Sequence, residues 1–169
     1  MALDIVTYPD SVLRAEAAPV ADVADEIRTL AAGMAEAMYA AKGRGLAAPQ
    51  VGRSLRLFVM DCDWKDGADR AVRTFINPEI VELIGPKLTG AEACLSIPGV
   101  TGSVPRAAEV VLAWTNLEGE RREGRFDGFE AVCIQHEYDH LDGILWFDRI
   151  DAEERARLSD DLRAIGALE

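Results

Sequence analysis

The chain has 169 residues, room for one domain of ordinary size, so residues 1–169 are expected to fold as a single unit. Apolar residues make up 49% and charged residues 28%, a balance that builds a packed core and argues against disorder. Against 18 Lys and Arg stand 30 Asp and Glu, and a net charge of −12 disfavours bulk binding to nucleic acid or to anionic membranes.

No apolar run approaches the ~18 residues of a spanning helix, and the first ten residues lack a basic stretch followed by an apolar one. A cytoplasmic protein is the expectation. Cys62, Cys94 and Cys133 are odd in number and form no Cys-x-x-Cys pair, which fits reduced thiols better than a disulfide framework.

In chain order, residues 22–42 predict a helix: Val23, Ile27, Leu30, Met34, Ala37 and Ala41 recur at three and four, with Asp22 to cap it and Gly43 to stop it. A turn-rich stretch of small residues follows at 43–52. Leu55 to Asp61 is an apolar run of strand length, and 61–70 reads as a loop. Thr74 to Ile84 reads as extended, interrupted at Asn77-Pro78 and ended by Gly85-Pro86. Segments 109–114 and 121–126 flank Asn116-Leu117-Glu118-Gly119 and predict a hairpin. A second helix is expected from 127–129 to Gly143, with Phe129, Val132 and Leu141 among its apolar positions. A third, 151–167, has a thin apolar side of Ala156, Leu158, Leu162 and Ile165. This order predicts an α+β domain with a mostly antiparallel sheet packed on helices.

The segment His136-Glu137-Tyr138-Asp139-His140 contains both histidines of the chain. On a helix, residues four apart sit about 40° apart around the axis and about 6 Å along it, so the two imidazoles can share one metal ion. Glu137, about 100° round from His136, projects beside that ion, where it can take a proton from water and deliver it to a leaving group. A catalytic site needs a third ligand and an open position. Trp146 stands where a third histidine of the metzincin type would lie. Cys133 is seven residues, about 10.5 Å of rise, from His140, and reads instead as a small buried residue. Glu153 or Glu154 could serve, and spacing alone leaves Cys94 and Cys62 level, although Asp61 and Asp63 mark Cys62 as a solvated strand end.

Three stretches together resemble the peptide deformylase family: Gly43-Arg44-Gly45-Leu46-Ala47-Ala48-Pro49-Gln50 fits G-x-G-x-A-A-x-Q, Glu92-Ala93-Cys94-Leu95-Ser96 fits E-G-C-L-S in four of five letters, and Gln135-His136-Glu137-Tyr138-Asp139-His140 fits Q-H-E-x-D-H. The resemblance implies a sheet packed around a central metal-binding helix, with helices near both ends of the chain. It implies Cys94, His136 and His140 as metal ligands, one divalent ion per chain with Fe²⁺ native and Zn²⁺ or Ni²⁺ able to substitute, and Glu137 as the proton carrier. Donors to the oxyanion would be the Gln50 amide and the Leu95 backbone N–H. The activity implied is removal of the formyl group from N-formylmethionine on new proteins. Gly45, Leu46 and Ala93 are the implied substrate-binding residues, and Gly43 and Gly45 could let a peptide pair in extended form. Glu92 is expected to bond neighbouring backbone, and Ser96 to be a supporting residue.

Three departures from the family pattern stand out. Ala93 replaces the usual Gly, which is impossible if that backbone needs a positive φ and otherwise narrows the cleft. Gly99-Val100-Thr101-Gly102 is uncharged where many relatives carry a basic residue. From Asp148 to Glu169 four Arg face seven acids, a net −3 poorly suited to ribosomal RNA, so docking on the ribosome through this segment is not expected. Ala93 and the missing basic residue leave open a relative acting on another N-acyl peptide, and the pattern alone also permits a catalytically silent metal-binding module.

Overall fold

A computed structural model describes residues 3–169. Helix α1, Asp25–Ala40, presents Ile27, Leu30, Ala31, Met34, Ala37 and Met38 along one buried face. It begins two residues later than an Asp22 cap would have it: Ala24 is the cap residue and makes no side-chain cap bond, while Asp25 and Glu26 in the first turn suit the positive end of the helix. At the far end the left-handed residue is Lys42 (φ 59°), not Gly43. Lys42 N–H reaches Tyr39 O at 3.0 Å and Gly43 N–H reaches Met38 O at 2.9 Å, the paired bonds of a Schellman ending.

The sheet is antiparallel throughout, in the order β1 (Gly45–Ala47), β2 (Leu57–Met60), β3 (Arg73–Cys94), β4 (Ile97–Thr115) and β5 (Arg121–Asp127). Strand parity divides the core between the two faces. Leu57, Val59 and Ile76 pack toward α1, whereas Phe58, Met60, Phe75, Val110 and Leu112 pack toward helix α2, Gly128–Leu141. The sheet thus lies between two helices, and α2 is buried along most of its length.

The strand expected at 74–84 runs on to Cys94, and the one expected at 109–114 begins at Ile97. Gly85-Pro86 does not end β3, because the pairing shifts between Ile84 and Lys87 and Gly85, at φ 81°, absorbs the extra backbone. The Asn77 interruption is also a shift in register. Its side-chain amide binds Val20 as a peptide would, accepting from Val20 N–H and donating to Val20 O, both at 2.8 Å. The hairpin between β4 and β5 forms as expected, with Asn116 Oδ1 accepting from the backbone of Glu118 and Glu120.

Phe129 is exposed, so only part of the apolar pattern expected for α2 is core. The third helix divides into α3 (Ala152–Arg157) and α4 (Ser159–Ala164), with Leu158 between them. Asp151 caps α3 by accepting from Glu154 N–H at 2.8 Å. Leu158 and Leu162 join Leu13, Ile97, Val104, Leu145, Trp146 and Phe147 in a third apolar cluster, which also holds Cys94. No helix among the described residues is long and apolar enough to cross a membrane.

Gly143 ends α2 at φ 71°, and a Cβ there would lie 2.5 Å from the Arg14 carbonyl oxygen. Gly143→Ala should therefore lower unfolding free energy by about 2–4 kcal/mol, combining left-handed strain with a backbone clash. Gly52→Ala, at φ 80° with open space around it, should cost about 1–2 kcal/mol. Urea denaturation of both variants measures the difference.

Candidate metal centre

Helix α2 meets the β3–β4 hairpin through polar groups. Gln135 pairs with Ala107 of β4 as another strand would, accepting from its N–H and donating to its carbonyl, both at 3.0 Å. This fixes the rotation of α2, and His136 and His140 then face the end of β3. Cys94 is the last residue of β3, and the two-residue turn Leu95-Ser96 returns the chain to Ile97, its partner in register.

One ligand atom from each of Cys94, His136 and His140 lies within 4.8 Å of the others, and Cys94 Sγ is 3.4 Å from His140 Nε2. A thiol and two imidazoles, converging in a nearly dry site and leaving a fourth position open, suit a catalytic transition-metal ion. Glu137 Oε1 and His140 Nδ1 are buried without a hydrogen-bond partner among the described residues. Such a carboxylate oxygen fits a group that meets a water or substrate beside an ion.

The other candidates for third ligand are engaged elsewhere. Glu154 accepts from Ser103 N–H and binds Arg157, while Glu153 is exposed. Cys62 is not at a solvated strand end. It is 6% exposed, and its neighbour Asp61 is buried, accepting from Tyr39 Oη at 2.5 Å and Ala71 N–H at 2.8 Å. Cys133 is buried as expected, with its thiol pushed well above the ordinary value by hydrogen bonding with Cys62 and by burial.

Sequence reasoning missed Arg106. This residue is 4% exposed, on the inward parity of β4 with Val104. Its guanidinium holds Glu92 through two bonds of 2.9 Å and Asp139 through one of 2.6 Å. Glu92 in turn meets His136 Nδ1 at 2.9 Å, and Arg149 grips Asp139 from outside. Glu92 therefore does not bond neighbouring backbone as expected. It orients His136, turning Nε2 toward Cys94 and His140. A lone Arg in the apolar run of 103–114 was the available signal.

Burial alone would lower the His136 pKa, but hydrogen bonds with Cys94 and Glu92 and the nearby Glu137 charge hold it well above the ordinary imidazole value. Burial, with the His136 and Arg106 charges, pushes His140 well below it. Glu137 is raised to about 7, chiefly by burial. Glu92 stays below the usual carboxylate range, because the bonds from His136 and Arg106 outweigh its desolvation.

Gln50 sits on a short 3₁₀ turn, 1% exposed. Its Oε1 accepts from Ala47 N–H at 2.9 Å, which turns Nε2 toward Cys94 Sγ at 3.5 Å and Ser96 Oγ at 3.1 Å. Gly45 lies against Glu137 so closely that a Cβ there would be 2.6 Å from Oε2 and 2.7 Å from Cys133 Sγ. Leu46 is fully buried, facing α1. Ala93 is not among the residues with positive φ, so the methyl that replaces the usual Gly hydrogen fits its backbone. The cleft over these groups has a volume of about 290 Å³ and reaches from Glu137 and His136 past Gly45 and Ala93 to Leu95.

The family described as Polypeptide deformylase matches residues 2–156. The chain belongs to that family. A peptide deformylase of Alkalilimnicola ehrlichii is 47% identical over 163 residues, covering 96% of this chain and 90% of the relative. The crystal structure of a Thermus thermophilus peptide deformylase superposes with a TM-score of 0.89 at 42% identity, covering 98% of this chain and 95% of that one. A Synechococcus elongatus peptide deformylase in complex with actinonin has a TM-score of 0.89 at 37% identity, covering 99% and 90%.

Glu92→Gln should weaken metal binding about 10- to 100-fold, read by competition with a chromophoric chelator, because the bond orienting His136 loses its charge. Arg106→Leu leaves the buried Glu92 facing only His136 and leaves Asp139 held only by Arg149, and should cost about 3 kcal/mol of stability, read by denaturant melts of the metal-free protein.

Proposed function

We propose that this deformylase removes the formyl group from N-formylmethionine at the start of new proteins, releasing formate, through Glu137 and a divalent ion held by Cys94, His136 and His140. The observation that carries the reading is the placement of Glu137, with an unpartnered buried oxygen, beside the three converging donor atoms in the cleft that Gln50 also lines. The thiol-imidazole donor set suits iron or zinc. We take Fe²⁺ as native, with Zn²⁺ or Ni²⁺ able to replace it, following the family resemblance. When bound, the ion supplies a Lewis acid that acidifies water and polarises the formyl carbonyl.

Glu137 accepts the proton of the attacking water and passes it to the departing amine. Its burial keeps the carboxylate out of bulk water, so the same proton can be held and returned. Gln50 Nε2, aimed by the Ala47 bond, donates to the oxygen that gains charge, as does the Leu95 N–H from the tight turn. Substrate backbone lies between two unpaired strand edges, that of β1 at Gly45 and Leu46 and that of β3 at Ala93. Close packing of Glu137 and Cys133 on Gly45 leaves room for a peptide only because no side chain projects there. Ala93 fits its backbone and lines the cleft, where its methyl narrows the space beside Cys94 and so suits formyl better than a larger acyl group, and Glu137 and Gln50 have no task in a silent metal module.

The domain is read as the whole of residues 1–169, acting in the cytoplasm on formylated peptides without membrane or bulk nucleic-acid contact. Docking on ribosomal RNA through the last helices is not part of this reading. Arg157 and Arg163 are paired with Glu154 and Asp160, and Arg155 donates to the Phe147 carbonyl, which leaves the acids in excess.

Formate release from formyl-Met-Ala-Ser by iron-loaded protein prepared without oxygen is the direct test. Glu137→Ala should keep the metal and lose at least about a thousandfold in kcat, as removal of a proton carrier does. Cys94→Ala should lose the metal as well, and equal metal content in the two variants would contradict the assignment.

A further inference from the structure

The charged residues lining the cleft divide by depth. Glu92 and Glu137 lie buried at its floor, whereas Lys42, Arg44 and Lys65 stand at its mouth. In a chain of net charge −12 with only three lysines, Lys42, Lys65 and Lys87, two of the three are at this one opening. We propose that Lys42 and Lys65 make the enzyme prefer formyl-peptides that carry an acidic side chain within the two or three residues after formylmethionine, a specificity that rests on the deformylase reading.

The mouth is built rather than incidental. Lys42 takes the left-handed position that ends α1, and Lys65 comes from the turn Trp64–Asp66 across the loop. Trp64 Nε1 donates to Gly43 O at 3.0 Å and Lys65 Nζ to Lys42 O at 2.9 Å, which clamps the two segments together. Two of the nearby acids are occupied, and the exposed Asp63 makes no ion pair with either lysine among the described residues. Asp61 is buried under Tyr39 and Ala71, and Asp66 lies against Arg44 at 3.1 Å. Asp63 and Asp66 act on the Arg44 charge, and Asp66 feels Lys65 as its weakest influence. Arg44 is thereby offset, with its guanidinium over Phe129 at 5.1 Å. Lys42 forms no ion pair among the described residues, and the Lys65 ammonium meets only a neutral carbonyl.

An extended peptide advances about 3.3 Å per residue, so a chain whose formyl group is at Glu137 leaves the cleft within a few residues, past this rim. A carboxylate there meets the Lys42 ammonium and that of Lys65, which its bond to the Lys42 carbonyl holds at the rim, and a lysine side chain is repelled by both. Since the contact is the same in the bound and transition states, the preference belongs in KM rather than kcat.

The test uses iron-loaded enzyme and the amides formyl-Met-Ala-Glu, formyl-Met-Ala-Gln and formyl-Met-Ala-Lys, with calorimetric binding of the three deformylated products alongside. The Glu peptide should exceed the Lys peptide about tenfold in kcat/KM, and the ratio should shrink toward one between 50 and 500 mM salt, roughly the range over which such surface charges become screened. K42Q/K65Q should abolish the preference and K42E/K65E reverse it, in rate and in product binding. Equal values for the Glu and Lys peptides, or a ratio unchanged in K42E/K65E, would overturn the inference while turnover of the Gln peptide left the deformylase reading standing. Without turnover of any peptide the deformylase reading fails, and charge-blind product binding then fails the lysine inference as well.

Discussion

The Arg106 guanidinium is the group around which the site is arranged. A buried arginine is tolerated only with its donors met and its charge balanced. Here Glu92 from β3 and Asp139 from α2 do both. The three residues come from three elements, so the bonds that satisfy the arginine also fix the helix against the hairpin. His136 depends on this arrangement through Glu92, and Arg149 closes it from the solvent side. Charge alternates along the whole chain of contacts, from Arg149 through Asp139, Arg106 and Glu92 to His136. The placement of an imidazole in the centre is thereby tied, contact by contact, to an arginine at the surface.

The two helices divide the labour of the sheet. The face under α1 is almost wholly apolar and supplies stability. The face under α2 is apolar near Phe58, Phe75 and Ile134 but turns polar toward the end of β3, where Gln135, His136, Asp139 and His140 are all buried. Polar groups at that density are stable only when each is partnered, and most are partnered by the hairpin. Among the atoms left unsatisfied, Glu137 Oε1 lies where chemistry is expected.

Much of this was legible in the sequence because its signals are local. The i, i+4 histidines, the apolar stripe of α1 and the turn at Asn116 to Gly119 each depend on a few neighbouring residues. The length of β3 and β4 was not legible. Asn77-Pro78 and Gly85-Pro86 read as punctuation, whereas in the sheet they are carried by register shifts that only pairing with another strand permits. Asp22 and Gly43 were reasonable choices for the ends of α1, but the helix starts at Asp25 and Lys42 takes the left-handed turn. Arg106 escaped notice because nothing within ten residues of it in sequence accounts for its burial. Its partners lie 14 and 33 positions away.

The turn at Leu95-Ser96 has a consequence for how this sequence can change. Two residues connect Cys94 to its opposite number Ile97, and side chains alternate between faces along the end of β3, where Glu92 and Cys94 are buried and Ala93 is exposed. One residue inserted just before the cysteine would turn its thiol to the other face of the hairpin, away from both histidines, without altering a single side chain of the site. Substitution is therefore only part of what this stretch must resist. Between Glu92 and Ile97 the spacing itself is under constraint, while the exposed arm near Gly85 already carries extra residues within a continuous sheet.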